Sequence, residues 1–328
     1  MELVDHADMD ELALEFDQAV AQTPDVDVFC SSSPWVASAY EVFSSHYDLW
    51  VGRSEHGAVA LTHGWHERLG CFRQPLEASW CLASPFASNE PAALVRDFAD
   101  FVKAEPRGSW DLLFLSGIKR DSESYHALVR EFARDYFVGV GPPVGRCIAS
   151  LDGGLDGFFS RRGSKFRANL RRTRRRADEE GIGYEYLSNI DQSSWRSVYE
   201  RILRVEERSW KGMSGTGISD ASMQLFYKGM IPRLASRGAL RVLFVRDGEG
   251  EDIGFVFGGV LDGVYRGLQL SYDQDFRKLS PGNLAQLEII KELIDEGVHT
   301  YDLGSELDYK SKWAEQRFET MALVIRQW

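Results

Sequence analysis

The stretch Tyr265-Arg266-Gly267-Leu268-Gln269-Leu270-Ser271-Tyr272 runs into Asp273-Gln274-Asp275-Phe276-Arg277-Lys278-Leu279-Ser280-Pro281-Gly282-Asn283, and then into the apolar-periodic residues 284–296. The first segment reads as a strand and the last as a helix. A Gly-containing turn between a strand and a helix can cradle a phosphate, because backbone N–H groups point outward and the helix dipole favours an anion there. Arg277 and Lys278 add positive charge, and Pro281 suits a first helical turn. About 20 residues on lies a second strand and turn, from Thr300-Tyr301-Asp302-Leu303 to Tyr309-Lys310-Ser311-Lys312-Trp313.

Outward from this stretch, residues 240–246, 253–261 and 264–272 alternate as a three-stranded meander with glycine turns. Upstream lie helices at 155–161, 164–180, 195–210 and 222–236, with Gly181 closing the second in the C′ role. A polar, glycine-containing loop, 209–217, joins the last two, and residues 321–327 make a final strand. The first half holds helices at 9–22 (Met9, Leu12, Phe16 and Val20 on one face) and from Ser33, the expected cap before Pro34, through Phe43. A hairpin at 49–62, helices at 92–103 and 125–132 and a strand at 110–115 follow. The plan is α+β, with a mostly antiparallel sheet flanked by helices. The halves share a rough element order, and the glycines at 153–154 place the boundary between domains 1–152 and 153–328.

Charge narrows the partners. The formal net charge is −12, yet residues 161–176 hold nine basic residues and no acid, so the remainder carries 29 bases against 50 acids. Such a chain repels polyanions in general and keeps one local anion-binding patch, whose Phe166, Leu170, Thr173 and Ala177 form the core-facing stripe of an arginine-rich helix. Cys30, Cys71, Cys81 and Cys147 show no metal spacing, and the seven histidines are scattered, so no metal is expected. The absence of a membrane-length apolar run and of a signal-peptide pattern at the N-terminus points to a cytoplasmic protein.

Ser280-Pro281-Gly282 with its helix, Tyr301-Asp302-Leu303 and Tyr309-Lys310-x-Lys312-Trp313 resemble the GNAT superfamily. Lys165-Phe166-Arg167-Ala168-Asn169-Leu170-Arg171-Arg172, Ser209-Trp210-Lys211, Trp35 and Trp110-Asp111-Leu112-Leu113 extend the resemblance to its Fem-like branch, which includes cellulose-biosynthesis CelD-type acyltransferases. The resemblance implies tandem GNAT-like domains, with acyl transfer to an amine or hydroxyl carried by the second and the first non-catalytic. It implies acetyl-CoA or another acyl-CoA as donor and a small molecule or a biosynthetic intermediate as acceptor. A Fem-like ligase drawing on aminoacyl-tRNA and a non-catalytic binding protein are the alternatives. The chain departs from the branch after the Asp strand, where Gly304-Ser305 stands in place of an Arg-Gly pair.

Acyl transfer requires a held donor, a stabilised oxyanion and an acceptor that loses a proton. Tyr272, Arg277, Lys278, Ser280, Gly282 and Asn283 are the candidate donor site. Asp302, on an otherwise apolar strand, is the candidate base, with Glu306 and Asp308 as competitors. Lys310, beside Tyr309, is the candidate oxyanion group, a role the resemblance also implies. Trp210 and Lys211 form a candidate lid over the acceptor, and Arg167, Arg171 and Glu306 complete the candidate substrate contacts.

Overall fold

The computed structural model describes residues 1–4 and 9–327, with the backbone alone for 9–12, so Met9 and Leu12 of the first helix lie outside the described side chains. The chain divides into two units, Met1–Gly145 together with Glu319–Trp328, and Arg146–Phe318. A contiguous split after residue 152 is therefore corrected at two places. Residues 146–152 belong to the second unit, and the last strand belongs to the first.

Unit 1 contains strands β1 (Glu2–Leu3), β2 (Asp48–Ser54), β3 (Gly57–His66), β4 (Gly70–Pro75), β5 (Phe86–Ala87), β6 (Leu112–Ile118) and β7 (Phe137–Val140). Its helices are α1 (Met9–Gln22), α2 (Val28–Ser31), α3 (Ser33–Ala39), α4 (Pro91–Ala104) and α5 (Glu123–Phe132). The N-cap position of α3 is Ser32 rather than Ser33; Ser32 makes no side-chain capping bond, and the Ser33 hydroxyl donates to Asp17. Strands β2, β3 and β4 form an antiparallel meander. Then α4 crosses over and β6 pairs parallel to β4, since a parallel pair needs such a crossover. The chain's last strand, β14 (Gln316–Arg326), lies antiparallel to β6 and also pairs with β7. Met321, Leu323 and Ile325 alternate into a core with Leu94, Phe98, Leu113 and Phe132.

Unit 2 repeats the motif. Its strands are β8 (Val144–Ser150), β9 (Gly183–Leu187), β10 (Leu240–Arg246), β11 (Asp252–Leu261), β12 (Val264–Tyr272) and β13 (Thr300–Ser305). Its helices are α6 (Gly154–Ser160), α7 (Ser164–Glu179), α8 (Trp195–Glu207), α9 (Trp210–Met213), α10 (Ala221–Ser236) and α11 (Pro281–Asp295). The strand order is β9-β10-β11-β12-β13-β8, antiparallel except for β12 and β13, which α11 connects as a crossover. Leu284, Ala285, Leu287, Ile289, Ile290 and Leu293 bury α11, and Leu170, Thr173 and Ala177 bury one stripe of α7. Gly181 follows α7 at φ 69°, where a side chain would be strained. The helix expected over 195–210 stops at Glu207, because Ser209 accepts the Gly212 N–H and starts α9.

Because β14 completes unit 1, Leu323→Ala should cost about 2–5 kcal/mol, the usual price of a fully buried leucine. Denaturant unfolding measures the loss, and hydrogen exchange should place it in β6 and β14. Unchanged protection of β6 would contradict this pairing.

Candidate active site

The parallel pairing of β12 with β13 covers only Val264–Arg266 against Thr300–Asp302. Beyond it the strands diverge. A register shift between Phe257 and Gly258 bends β11 against β12, and the pairing of β13 with β8 shifts between Asp302 and Ser305, where Gly304 takes φ 81°. The fork opens a cavity of about 640 Å³ lined by Gly267 to Tyr272 on one arm and by Tyr301, Leu303 and the Leu307–Lys310 loop on the other. Side chains alternate along β12. Leu270 and Tyr272 face α11, beside Gly282, whereas Gln269 meets Lys211 and Tyr227 on the opposite face.

At the α11 end, Tyr272, Arg277, Ser280, Gly282 and Asn283 all line the cavity. Residues Gln274–Leu279 form a 3-10 turn, capped by Asp273, whose carboxylate accepts the Asp275 N–H at 2.9 Å. Ser280 adopts the left-handed conformation, φ 56°, and no side chain caps the first turn of α11. A Cβ at Gly282 would lie 3.1 Å from Leu270 and 3.3 Å from Tyr272, so glycine keeps the space beside the helix N-terminus open. Lys278 is exposed and stands outside the cavity wall.

Asp302, the expected base, lies buried among partners of its own. It is 3% exposed, and its Oδ2 accepts Arg266 Nη1 at 2.6 Å and Arg146 Nη1, while Oδ1 accepts the Gly304 N–H at 2.8 Å. With both oxygens engaged and no place on the cavity wall, the carboxylate is a clamp across β8, β12 and β13. Glu306 is exposed and pairs with Arg317 at 2.9 Å, and Asp308 is also exposed. Neither lines the cavity.

Lys310 stands at the head of the fork. Its Nζ donates to the Ser305 carbonyl at 3.1 Å and lies 5.9 Å from the centre of the Tyr309 ring. Burial, then the neighbouring Arg266 charge, lowers its pKa to about 8. Lys211 reaches the same cavity from α9, donating to Gln269 Oε1 and to the Leu270 carbonyl, both at 2.9 Å. Burial lowers its pKa too, against the pull of Glu206. Trp210 lines the rim, 57% exposed. Arg167 and Arg171 do not reach the cavity. Arg171 is exposed on α7, which packs against the Gln274–Leu279 turn and against α11.

Sequence reading missed Arg146, Ser271 and Gln286. A polar residue amid the apolar run of α11 signalled Gln286, and strand alternation with Gln269 signalled Ser271. Nothing local signalled Arg146, which meets Asp302 across 156 residues. Among the described residues no cluster of His, Cys, Asp or Glu could hold a metal ion, and no helix is long and apolar enough to cross a membrane.

Residues 164–311 match the family model of the acetyltransferase (GNAT) domain. The match runs from α7 through Lys310, so nearly all residues lining the fork lie inside the matched segment. The fold is shared with a conserved protein of unknown function from Bacteroides thetaiotaomicron VPI-5482, at 11% identity and TM-score 0.66, covering 99% of this chain and 100% of that one. FemX matches at 12% identity and TM-score 0.64, covering 98% and 97%. L-PGS from Bacillus licheniformis matches at 14% identity and TM-score 0.53, covering 87% and 90%. No curated protein matches the sequence.

The clamp separates structure from catalysis. Asp302→Asn should cost about 3–5 kcal/mol, because it leaves two buried guanidiniums without the carboxylate they share, whereas Glu306→Gln at the exposed pair should stay within about 0.5 kcal/mol. Chemical denaturation of both variants checks this. A fully stable but inactive Asp302→Asn protein would restore Asp302 to the role of base.

Proposed function

We propose that the GNAT domain of unit 2 transfers an acyl group from acyl-CoA to an amine, with a hydroxyl as the alternative acceptor. The observation that carries the reading is the fork itself, which has an uncapped helix N-terminus and Arg277 at one end and a half-buried ammonium, Lys310, at its head. The residues present fit the donor. The α11 N-terminus and Arg277 suit its phosphates, and the unpaired edge of β12 from Gly267 onward suits its amide-bearing arm. Acyl-CoA supplies an activated thioester carbonyl. The acceptor nitrogen bonds to that carbon, the C–S bond breaks, and the proton lost by the amine balances the one the departing thiolate takes up.

Lys310 acts in its charged form, opposing the negative charge that builds on the carbonyl oxygen, and the Tyr309 ring flanks it at the cavity wall. Asp302 is a positioning residue, fixing Arg266 and the Gly304 turn against which Lys310 rests. Trp210 and Lys211 border the acceptor side. Unit 1 supplies no part of this chemistry. The second reading, an aminoacyl ester of tRNA as donor, is favoured by the arginine-rich α7, which packs against the donor turn, and by the fold shared with FemX.

Acyl-CoA at a hundred times its dissociation constant should stabilise the protein by about 2.7 kcal/mol, and Arg277→Ala should weaken binding about tenfold. Thermal unfolding reads both. A shift with aminoacyl-tRNA and none with acyl-CoA would select the second reading.

Lys310→Met should lower turnover about 10²–10³-fold. The parent's turnover should fall as pH rises through about 8, because only protonated Lys310 assists. Its stability should move the other way. A lysine with a depressed folded-state pKa penalises folding below that pKa, and the penalty lifts between about pH 8 and the ordinary 10.5. At pH 7, Lys310→Met should therefore be more stable by roughly 1–2 kcal/mol, after allowance for partial exposure. A variant with normal turnover would make Lys310 an ordinary surface lysine.

A further inference from the structure

The wall of the fork is one-sided in charge and in hydrogen-bonding capacity. Acidic residues outnumber basic ones in the chain, 50 against 38. Among the described residues lining the cavity, however, none is Asp or Glu, whereas Lys211, Arg277 and Lys310 all contribute. Arg277 belongs to the donor turn. That leaves two ammonium groups for whatever enters from the other side.

Both retain unused donors. An ammonium has three N–H groups. Lys211 uses two, on Gln269 Oε1 and the Leu270 carbonyl, with Glu206 Oε1 beyond hydrogen-bond range at 3.9 Å. Lys310 uses one, on the Ser305 carbonyl. The two ammoniums are near enough that the Lys211 charge acts on Lys310. Ser271 supplies a third group. It lies on the Gln269 face of β12, from which Lys211 approaches, lines the cavity at 3% exposure, and its Oγ has no hydrogen-bond partner. Buried hydroxyls are normally paired, so an orphaned one facing a cavity marks a contact for a ligand. The spare capacity of Lys211 and Lys310 is donor capacity, and the Ser271 hydroxyl can add a further donor. Two cations and a hydroxyl, with no acid on the wall, match a group rich in lone pairs and negative charge.

We propose that the acceptor carries, beside the amine that is acylated, an anionic group, a carboxylate or a phosphate, held by Lys211 and Ser271 in the field of Lys310. The inference rests on the acyl-transfer reading of the same cavity. It explains why Lys211 is held by Gln269 and the freed Leu270 carbonyl instead of extending into solvent. These two acceptors are neutral, and the ion-pair partner Glu206, 3.9 Å away, accepts no hydrogen bond from it, so one N–H remains for a ligand.

The test is calorimetric binding of three amines of equal spacing: ethanolamine, β-alanine and O-phosphoethanolamine. One anionic probe should bind at least tenfold more tightly than neutral ethanolamine, the gain expected of a charge-assisted contact. Whichever it is identifies carboxylate or phosphate as the source. Ser271→Ala and Lys211→Met should each erase most of that preference. Ser271→Ala keeps the test sound if the lysine variant disturbs α9. Equal binding of all three amines, binding of none, or a preference that survives both substitutions would overturn the inference. Retained anion preference without acyl transfer from any acyl-CoA would support the anion site and refute the donor reading.

Discussion

Asp302 sits where three strands meet, and the geometry of unit 2 depends on what it holds. Its carboxylate takes Arg146 from β8 and Arg266 from β12 while standing on β13, and it also fixes the Gly304 N–H. A charge this deep is tolerable only when fully paired, and removing either side leaves the other stranded in low dielectric. The parallel pairing of β12 and β13 ends at the Arg266–Asp302 pair. Past that point no ladder pairing joins the two strands among the described residues, and the fork begins. The clamp thus marks the boundary between the paired part of the sheet and the cavity that opens beyond it.

The arrangement places the cavity at the least paired part of the sheet. Backbone groups of β12 from Gly267 onward lack a β13 partner, and unpaired backbone at a buried edge demands another partner. Lys211 answers one such carbonyl, that of Leu270. A bound ligand can answer the others. The positive φ of Ser280 and the bare face of Gly282 serve the same end at the mouth of α11, since each keeps a helix N-terminus accessible at some conformational cost. Lys310 carries a similar cost in charge. Its depressed pKa records an ammonium held where solvation is poor, the setting in which the proposed action against developing negative charge is strongest.

Unit 1 shares the motif and differs in what its buried charges do. Its meander, crossover helix and parallel strand repeat those of unit 2, which supports an old duplication at the level of topology. The equivalent parallel pair, β4 and β6, is Phe72–Arg73 against Leu112–Leu113. Arg73 there is buried against Glu105 and lies over the Trp50 ring, an ion pair turned into the core. Two units of one plan have thus spent their buried arginines differently, one on packing and one on holding a fork open.

Local chemistry made much of this legible from the sequence alone. Alternation and glycine turns fixed the meander, Pro281 and the apolar period fixed α11, and Gly181 ended α7, because each depends on neighbours within a few residues. The turn before α11 was readable for the same reason, since its glycine, proline and basic residues are neighbours in the chain. The tertiary structure alone decided the rest. A carboxylate on an apolar strand reads equally as a base or as a clamp, and only the arrival of Arg146 from a distant strand made Asp302 the latter. The last strand's return to unit 1 and the absence of acids from the cavity wall are likewise products of long-range pairing. Sequence fixes which groups a segment offers, but which of them meet, and which stay unpaired facing a cavity, is settled where strands far apart in the chain come together.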